Sequence, residues 1–546
     1  MFTLFPARSV ITMNPSMPRA EAILVRDDRI VEVGSKDSMG PWLNHFDYQV
    51  DDRFKNDVIC PGFIDPHLHP TMAAVLLPME FITAMRWKLP WGTVEPITSE
   101  TGFNERLRTL NQQMPPGEPL FTWGYHQLWH GEMARARINA ISAERPIVVW
   151  HRSFHELYMN DAALEMTGVN PDAIKPGSQI DLRKGHFYEN GLGLAIARLN
   201  PWILAPERYA EGLRRLKQVV HFGGQTSIGD MATGLFDFES EANALREHLD
   251  GDDVPFRSRL VAHGARMQSM GGSLAGGVEL ASSLVERNTE KLRFGKYIKL
   301  FSDGAFFSQL AQLQSPGYID GHSGEWLAVP ELLEESARAY WHAGFQIHVH
   351  VTGDLGLELT LDVLEKLQFE RPRFNHGFTI EHFGFSTPEQ IRRIKALGAQ
   401  VSANVYYLHE LSDIYAREGI GYERASQMAR VGSCFAADIN TTFHSDFTMA
   451  PAEPLNSAWV AVNRVNHLGN TVGEPEQLTQ LQALQAMTIN AAHVLGFANE
   501  TGSIRAGKKA DFAILEEDPL RCDPMDLRDI PIKATLFEGN VFPIDV

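Results

Sequence analysis

A chain of 546 residues is longer than one small hydrophobic core organises, so one large unit with a smaller companion is expected. With 44% hydrophobic and 21% charged residues the composition is globular. A net charge of −19, from 49 Lys+Arg against 68 Asp+Glu, argues against nucleic-acid and anionic-membrane partners. No apolar run reaches the ~18 residues of a membrane span. The opening "MFTLFPARSVITMNP" lacks the basic-then-apolar order of a secretion signal, and Cys60, Cys434 and Cys522 are too scattered for a disulfide framework or a thiolate metal site, so a cytoplasmic location is expected.

In chain order, "AEAILVRDDRIVEVG" (20–34) reads as a hairpin turning at Arg-Asp-Asp. The C-terminal "GKKADFAILEEDP" and "IKATLFEGNVFPI" have matching strand character, which predicts one small β-sandwich domain built from residues 1–57 and 499–546. The region between, 58–498, alternates strands and helices. "VICPGFIDPHLHP" (58–70) runs an apolar strand into His67 and His69, which alternation places on one face. Some 150 residues follow before the next strand, and this insertion, about 72–222, holds the strand-like "RPIVVWHRSFHELYMN" and is expected to form a lid. Further strands are read at "TSIGDM" (226), "SRLVAHG" (258), "YIKLFSDG" (297), "FQIHVHVTGD" (345), "TIEHFG" (379), "AQVSANV" (399) and "TTFHSD" (441). Helical stretches such as "LGLELTLDVLEKLQ" and "PEQIRRIKALG" separate most of them. Eight βα units predict an α/β fold, a (β/α)8 TIM-like barrel with its chemistry at the C-terminal strand ends. An open doubly wound sheet is the rival, without a G-x-G-x-x-G turn to support it.

His67, His69, Lys299, His350, His382 and Asp446 all fall at or near such strand ends. One barrel mouth would then collect four imidazoles, a lysine and a carboxylate, a donor set suited to Zn²⁺ or a similar divalent ion.

The segments "PGFIDPHLHP", "TWGYHQLWHGE", "YIKLFSDG", "HVTGD", "IEHFG", "HSDFTMAPAEP" and "ALQAMTINAAHVLGFANETGSIRAGKKADFAILEEDP" resemble the amidohydrolase superfamily. The likeness is to the YtcJ-like, amidohydrolase-3 branch, which includes N-substituted formamide deformylase. The resemblance implies that His67, His69 and Asp446 bind one metal and His350 and His382 a second. Lys299 would bridge the two, carboxylated by CO₂. A lysine paired with Asp303, and a single-metal site, are the alternatives. His348 is expected deeper in the barrel, behind the ligands. The implied reaction is hydrolysis of a C–N, amide-type bond of a small non-peptide substrate. Water whose pKa a metal lowers supplies hydroxide, and Asp446 moves the proton. Ester, lactone or carbamate hydrolysis at the same site is the alternative, and a non-catalytic barrel protein the third reading. Deamination ranks lower, because "HVHVTGD" lacks the glutamate such sites place after the fifth-strand histidine.

The chain departs from the branch around the mouth: Ala305, Phe307 and Gln309 follow the fourth strand, Leu355 replaces an arginine, Asn404 a glutamine and His444 a glycine. Together with Phe306, Tyr406 and Tyr407 these changes favour an apolar or aromatic substrate. Trp123, His126, His155 and His263, with Phe306, Phe307, Asn404 and His444, are expected to line the pocket, with His155 orienting substrate or donating to an oxyanion. The resemblance is also compatible with a homodimer.

Overall fold

The computed structural model describes residues 1–170, 174 and 178–544. Eight strands make one parallel sheet: β1 (Phe63–Leu68), β2 (Gln225–Thr233), β3 (Arg257–His263), β4 (Leu292–Phe301), β5 (Gln346–Val351), β6 (Thr379–His382), β7 (Gln400–Ala403) and β8 (Thr441–Phe443). Each pairs with the next in chain order, as a barrel requires. The ring is nearly closed. Beyond β8, the Asp446 N–H donates to the His67 carbonyl (2.9 Å) and the His69 N–H to the Phe447 carbonyl (3.2 Å). The register sets His263 opposite Lys299 and Lys299 opposite His348, with His350 two residues further along β5, and His350 opposite Glu381, with His382 one residue further along β6.

Local sequence explains the helices that cover the sheet. Thr387 and Gln390 form a reciprocal capping box at the start of Pro388–Leu397, whose proline needs no N–H in the first turn. Gly398 ends that helix at φ +71°, which a glycine adopts without strain. In Asp354–Glu370, Leu357, Leu361, Leu364 and Leu367 recur at three- and four-residue spacing and form the buried face. Among the described residues no helix is long and apolar enough to cross a membrane.

The run "VICPGFIDPHL", read from sequence as one strand, is two. Val58–Pro61 pairs antiparallel with Phe512–Leu515, and only Phe63–Leu68 enters the barrel. Gly62 makes the break; a Cβ there would lie 2.1 Å from Thr226 Oγ1. The terminal strands pair into a single eight-stranded sheet, in which Val58–Pro61 joins the C-terminal strands to Phe2–Ile11. The hairpin of Arg19–Arg26 and Arg29–Gly34 turns at Asp27 and Asp28 as expected. This sheet has its own core, including Phe5, Ile23, Ile59, Phe512 and Leu536.

The insertion after β1 carries a six-stranded sheet. Here too one predicted strand is two: Ile147–His151 and Glu156–Met159 pair antiparallel, and residues 152–155 form the turn between them. That turn points at the barrel mouth.

Candidate metal centre

Strand alternation delivers His67 and His69 side by side, their Nε2 atoms 3.3 Å apart. Asp446 Oδ1 lies 3.4 Å from His67 Nε2 and 3.1 Å from His69 Nε2, while Oδ2 is 3.6 Å from His382 Nδ1. The His350 and His382 rings are 4.2 Å apart. His69, Lys299, His350, His382 and Asp446 line one cavity of about 390 Å³, and His67 lies directly behind. The Asp303 alternative for Lys299 is not realised: the carboxylate accepts from the N–H groups of Thr352, Gly353 and Gln312, and Lys299 Nζ has no hydrogen-bond partner among the described residues.

Whether the site fits a cation can be judged from its unsatisfied atoms. His69 Nδ1, Lys299 Nζ, His350 Nε2, both nitrogens of His382 and His444 Nε2 are buried without hydrogen-bond partners among the described residues. Each such group costs ~1–3 kcal/mol when left unpaired. So many bare buried donors around one barrel mouth are costly as packing and suit cation binding. His67, His69 and Asp446 form one group whose ligand atoms lie within 4.8 Å of one another; His67, His382 and His444 form another.

Burial sets the protonation states. It holds His350 and His382 well below the ordinary imidazole pKa, and so neutral, and pushes Lys299 down to about 8. At Asp446 burial acts upward, but hydrogen bonds from His67 and His69 outweigh it and hold the carboxyl well below its usual range. Burial and Lys299 pull His67 down, yet Glu381 and Asp446 carry it above its ordinary value.

Glu381 is the residue that sequence reading passed over. Its carboxylate lies 2.7 Å from His67 Nδ1 and 2.6 Å from His348 Nδ1, fixing His67 with Nε2 toward Asp446. Adjacent strand residues ordinarily face opposite ways, which would keep Glu381 and His382 from reaching one site. His382 resolves this by adopting φ +70°, in the left-handed region that costs a non-glycine residue ~1 kcal/mol or more. Asp446 does the same at φ +52°. Asp65 was also missed, although its phase with His67 on β1 and with His69 just beyond it was a usable signal. It accepts hydrogen bonds from the Ser445 hydroxyl and N–H and from the His67 N–H, tying β1 to the segment after β8. Glu189, also missed, lies in the insertion with its carboxylate 2.7 Å from His155 Nδ1.

Of the eight residues expected to contact substrate, His155 and His263 line the cavity. His444 packs against the ligand histidines beneath it. The other five do not reach the cavity. Trp123 is fully buried against Phe81 and Trp87, and His126 accepts the Leu128 N–H and packs on His151. Phe306 stacks on Tyr407, and Phe307 lies under the Arg152 guanidinium. Asn404 accepts the Tyr406 N–H and donates to the Ser445 carbonyl. In each case core packing or local capping claims the side chain. The apolar wall instead comes from Met72, Phe154, Ile196, Leu235, Phe301 and Met449.

A parallel eight-stranded barrel that gathers imidazoles, a lysine and a carboxylate at its C-terminal mouth, over a partly apolar cavity, has the build of a barrel hydrolase. The profile of the Amidohydrolase family matches residues 55–543, and the chain belongs to that family. N-substituted formamide deformylase of Arthrobacter pascens is 24% identical over 544 residues, covering 97% of this chain and 96% of that protein. Putative amidohydrolase YtcJ of Bacillus subtilis (strain 168) is 22% identical over 548 residues, 97% of each. The crystal structure of an uncharacterized metal-dependent hydrolase from Pyrococcus horikoshii OT3 shares the fold, with a TM-score of 0.73 at 21% identity over 96% of this chain and 99% of that one.

Proposed function

We propose that this hydrolase is metal-dependent and cleaves a C–N, amide-type bond of a small, apolar or aromatic, non-peptide substrate. The observation that carries the reading is the set of partnerless ligand atoms at the polar end of a cavity whose remaining walls are largely hydrocarbon. His67, His69 and Asp446 would hold one divalent ion, zinc being the best fit to the donors, and His350 and His382 a second, with Lys299 between them as a carboxylated bridge. When bound, such ions supply Lewis acidity and lower the pKa of water from 15.7 to about 7.

The chain's own groups do the rest. Asp446 is ionised and faces the cavity, placed to take the proton of an attacking water and return it to the departing nitrogen. His155, held by Glu189 across the cavity from His350, is placed to donate from Nε2 to oxygen as charge develops there. The hydrocarbon walls take the substrate's apolar part and exclude bulk water.

The test combines metal analysis with a panel of N-substituted amides, formamides, esters, lactones and carbamates. Two equivalents of divalent metal per chain are expected, with amide turnover that is lost on chelation and restored by Zn²⁺. Bound metal without turnover on any member of the panel would overturn the hydrolytic reading; turnover confined to esters or lactones would overturn the choice of bond.

The His155 role carries a pH signature. Burial pulls its pKa down, but Glu189 outweighs that and holds it above 6.5, so the imidazolium persists past the pH at which a free histidine loses its proton. His155→Gln is expected to lower kcat/KM by about 10²-fold at pH 6, near the cost of losing one oxyanion donor. The gap should narrow as rising pH deprotonates the wild-type imidazolium. A pH-independent ratio in paired kcat/KM profiles would exclude the charged form.

A further inference from the structure

His444 is the residue just past β8, two before Asp446. Its side chain is fully buried. Nδ1 is engaged by the Ser402 hydroxyl at 2.8 Å and lies 3.5 Å from the Glu381 carboxylate. Nε2 has no partner among the described residues. The ring centroid is 4.3 Å from that of His67 and 5.1 Å from that of His382, and His67 and His382 are themselves 4.7 Å apart. The three rings thus make a closed triangle, and one nitrogen of each lies within 4.8 Å of one nitrogen of the others.

Hydrocarbon packing does not explain this arrangement. A phenyl ring would fill the same space without burying a lone pair, whereas an imidazole with one nitrogen satisfied and the other bare bears a desolvation cost that only a donor or a cation offsets. No donor faces it. Its occupied Nδ1 matches how metal-binding histidines are usually fixed, with the second nitrogen tied to an oxygen.

We propose that His444 is a metal ligand: its Nε2 adds a further imidazole donor beside those of His67 and His382 at the floor of the barrel mouth, to an ion of the borderline Zn²⁺ or Co²⁺ kind. The inference rests on the reading of the mouth as a metal centre and adds to it a donor that the resemblance does not supply. A further imidazole disfavours Mg²⁺ and Mn²⁺, which prefer oxygen, so the ion it joins should discriminate among metals more sharply than one completed by carboxylate alone.

The test uses full-length protein stripped by chelation and needs no substrate. Co²⁺ is titrated into the wild type, His444→Asn and His444→Gln, with d–d absorption recorded. Zn²⁺ affinity is then measured by competition with a chromophoric chelator. Asparagine places an amide where Nδ1 was, keeping the Ser402 contact with nothing at Nε2; glutamine reaches the Nε2 position. Losing the hydrogen-bond partner of a ligand costs about 10- to 100-fold in metal affinity, so losing the ligand itself in His444→Asn should weaken the tightest Zn²⁺ site by about 100-fold or more. His444→Asn should also shift the Co²⁺ bands, and His444→Gln should recover part of both. Unchanged Co²⁺ spectra in both variants overturn the proposal. If either variant fails to fold, His444→Gly is read by the same two measurements. A wild type that binds no divalent ion defeats the metal-centre reading as a whole; a wild type that binds metal indifferently to residue 444 defeats only this inference.

Discussion

Asp446→Asn is expected to lower kcat by about 10²- to 10⁴-fold, the range for loss of a positioned general base, while leaving metal content near that of the wild type. The carboxylate is the hub of the mouth: one oxygen approaches His67 and His69 at 3.4 and 3.1 Å and the other lies 3.6 Å from His382. Its backbone N–H donates to the His67 carbonyl, so its position is fixed by the seam that nearly closes the barrel. Asparagine preserves the shape, that backbone bond and one side-chain oxygen able to ligate. It removes the negative charge and the capacity to accept a proton at neutral pH. Elemental analysis of the purified variant beside its kcat separates the two functions: metal retained with turnover lost supports the proton role, and metal retained with turnover intact refutes it.

The eight strands were legible because each is a short apolar run ending at a turn signal, and because buried parallel strands tolerate little else. The histidines, lysine and aspartate were legible because polar groups in phase at the ends of such runs have no packing reason to be there. What stayed hidden has three physical causes. Glu381 required knowing that His382 leaves the strand conformation, which alternation cannot foresee. Glu189 acts through a residue 34 positions away in a different element, and no local pattern links it to His155. Trp123, Phe306 and Phe307 looked like pocket walls because aromatic residues suit either a pocket or a core; the insertion resolves the ambiguity by packing Trp123 and Phe307 around the buried guanidinium of Arg152.

That guanidinium gives the second large expectation. Arg152 lies in the turn that also carries His155, and Glu410 lies on the helix Tyr406–Glu418 that follows β7. Their side chains, each 1% exposed, meet through two bonds, Nε to Oε1 at 3.0 Å and an Nη to Oε2 at 2.5 Å, and the guanidinium also donates to the Thr448 carbonyl at 3.3 Å. Trp87, Trp123 and Phe307 surround the cation at 4.8 to 5.1 Å. A pair so enclosed need not be worth much in total, because desolvating both charges offsets their attraction. Removing one partner is different, since a bare buried charge costs about 3–5 kcal/mol. Glu410→Ala should therefore release the insertion turn from the barrel and carry His155 away from the cavity, lowering both stability and turnover. For a chain this long each kcal/mol moves Tm by only about 1 °C, so the sharper measurement is limited proteolysis of the insertion, where faster cleavage of the 147–159 hairpin is expected. Arg152→Met combined with Glu410→Leu removes both charges and keeps the volume, and should restore protease resistance toward that of the wild type. A single variant as resistant as the wild type, or a double variant no better than the single, would show that aromatic packing rather than the ion pair docks the insertion on the barrel.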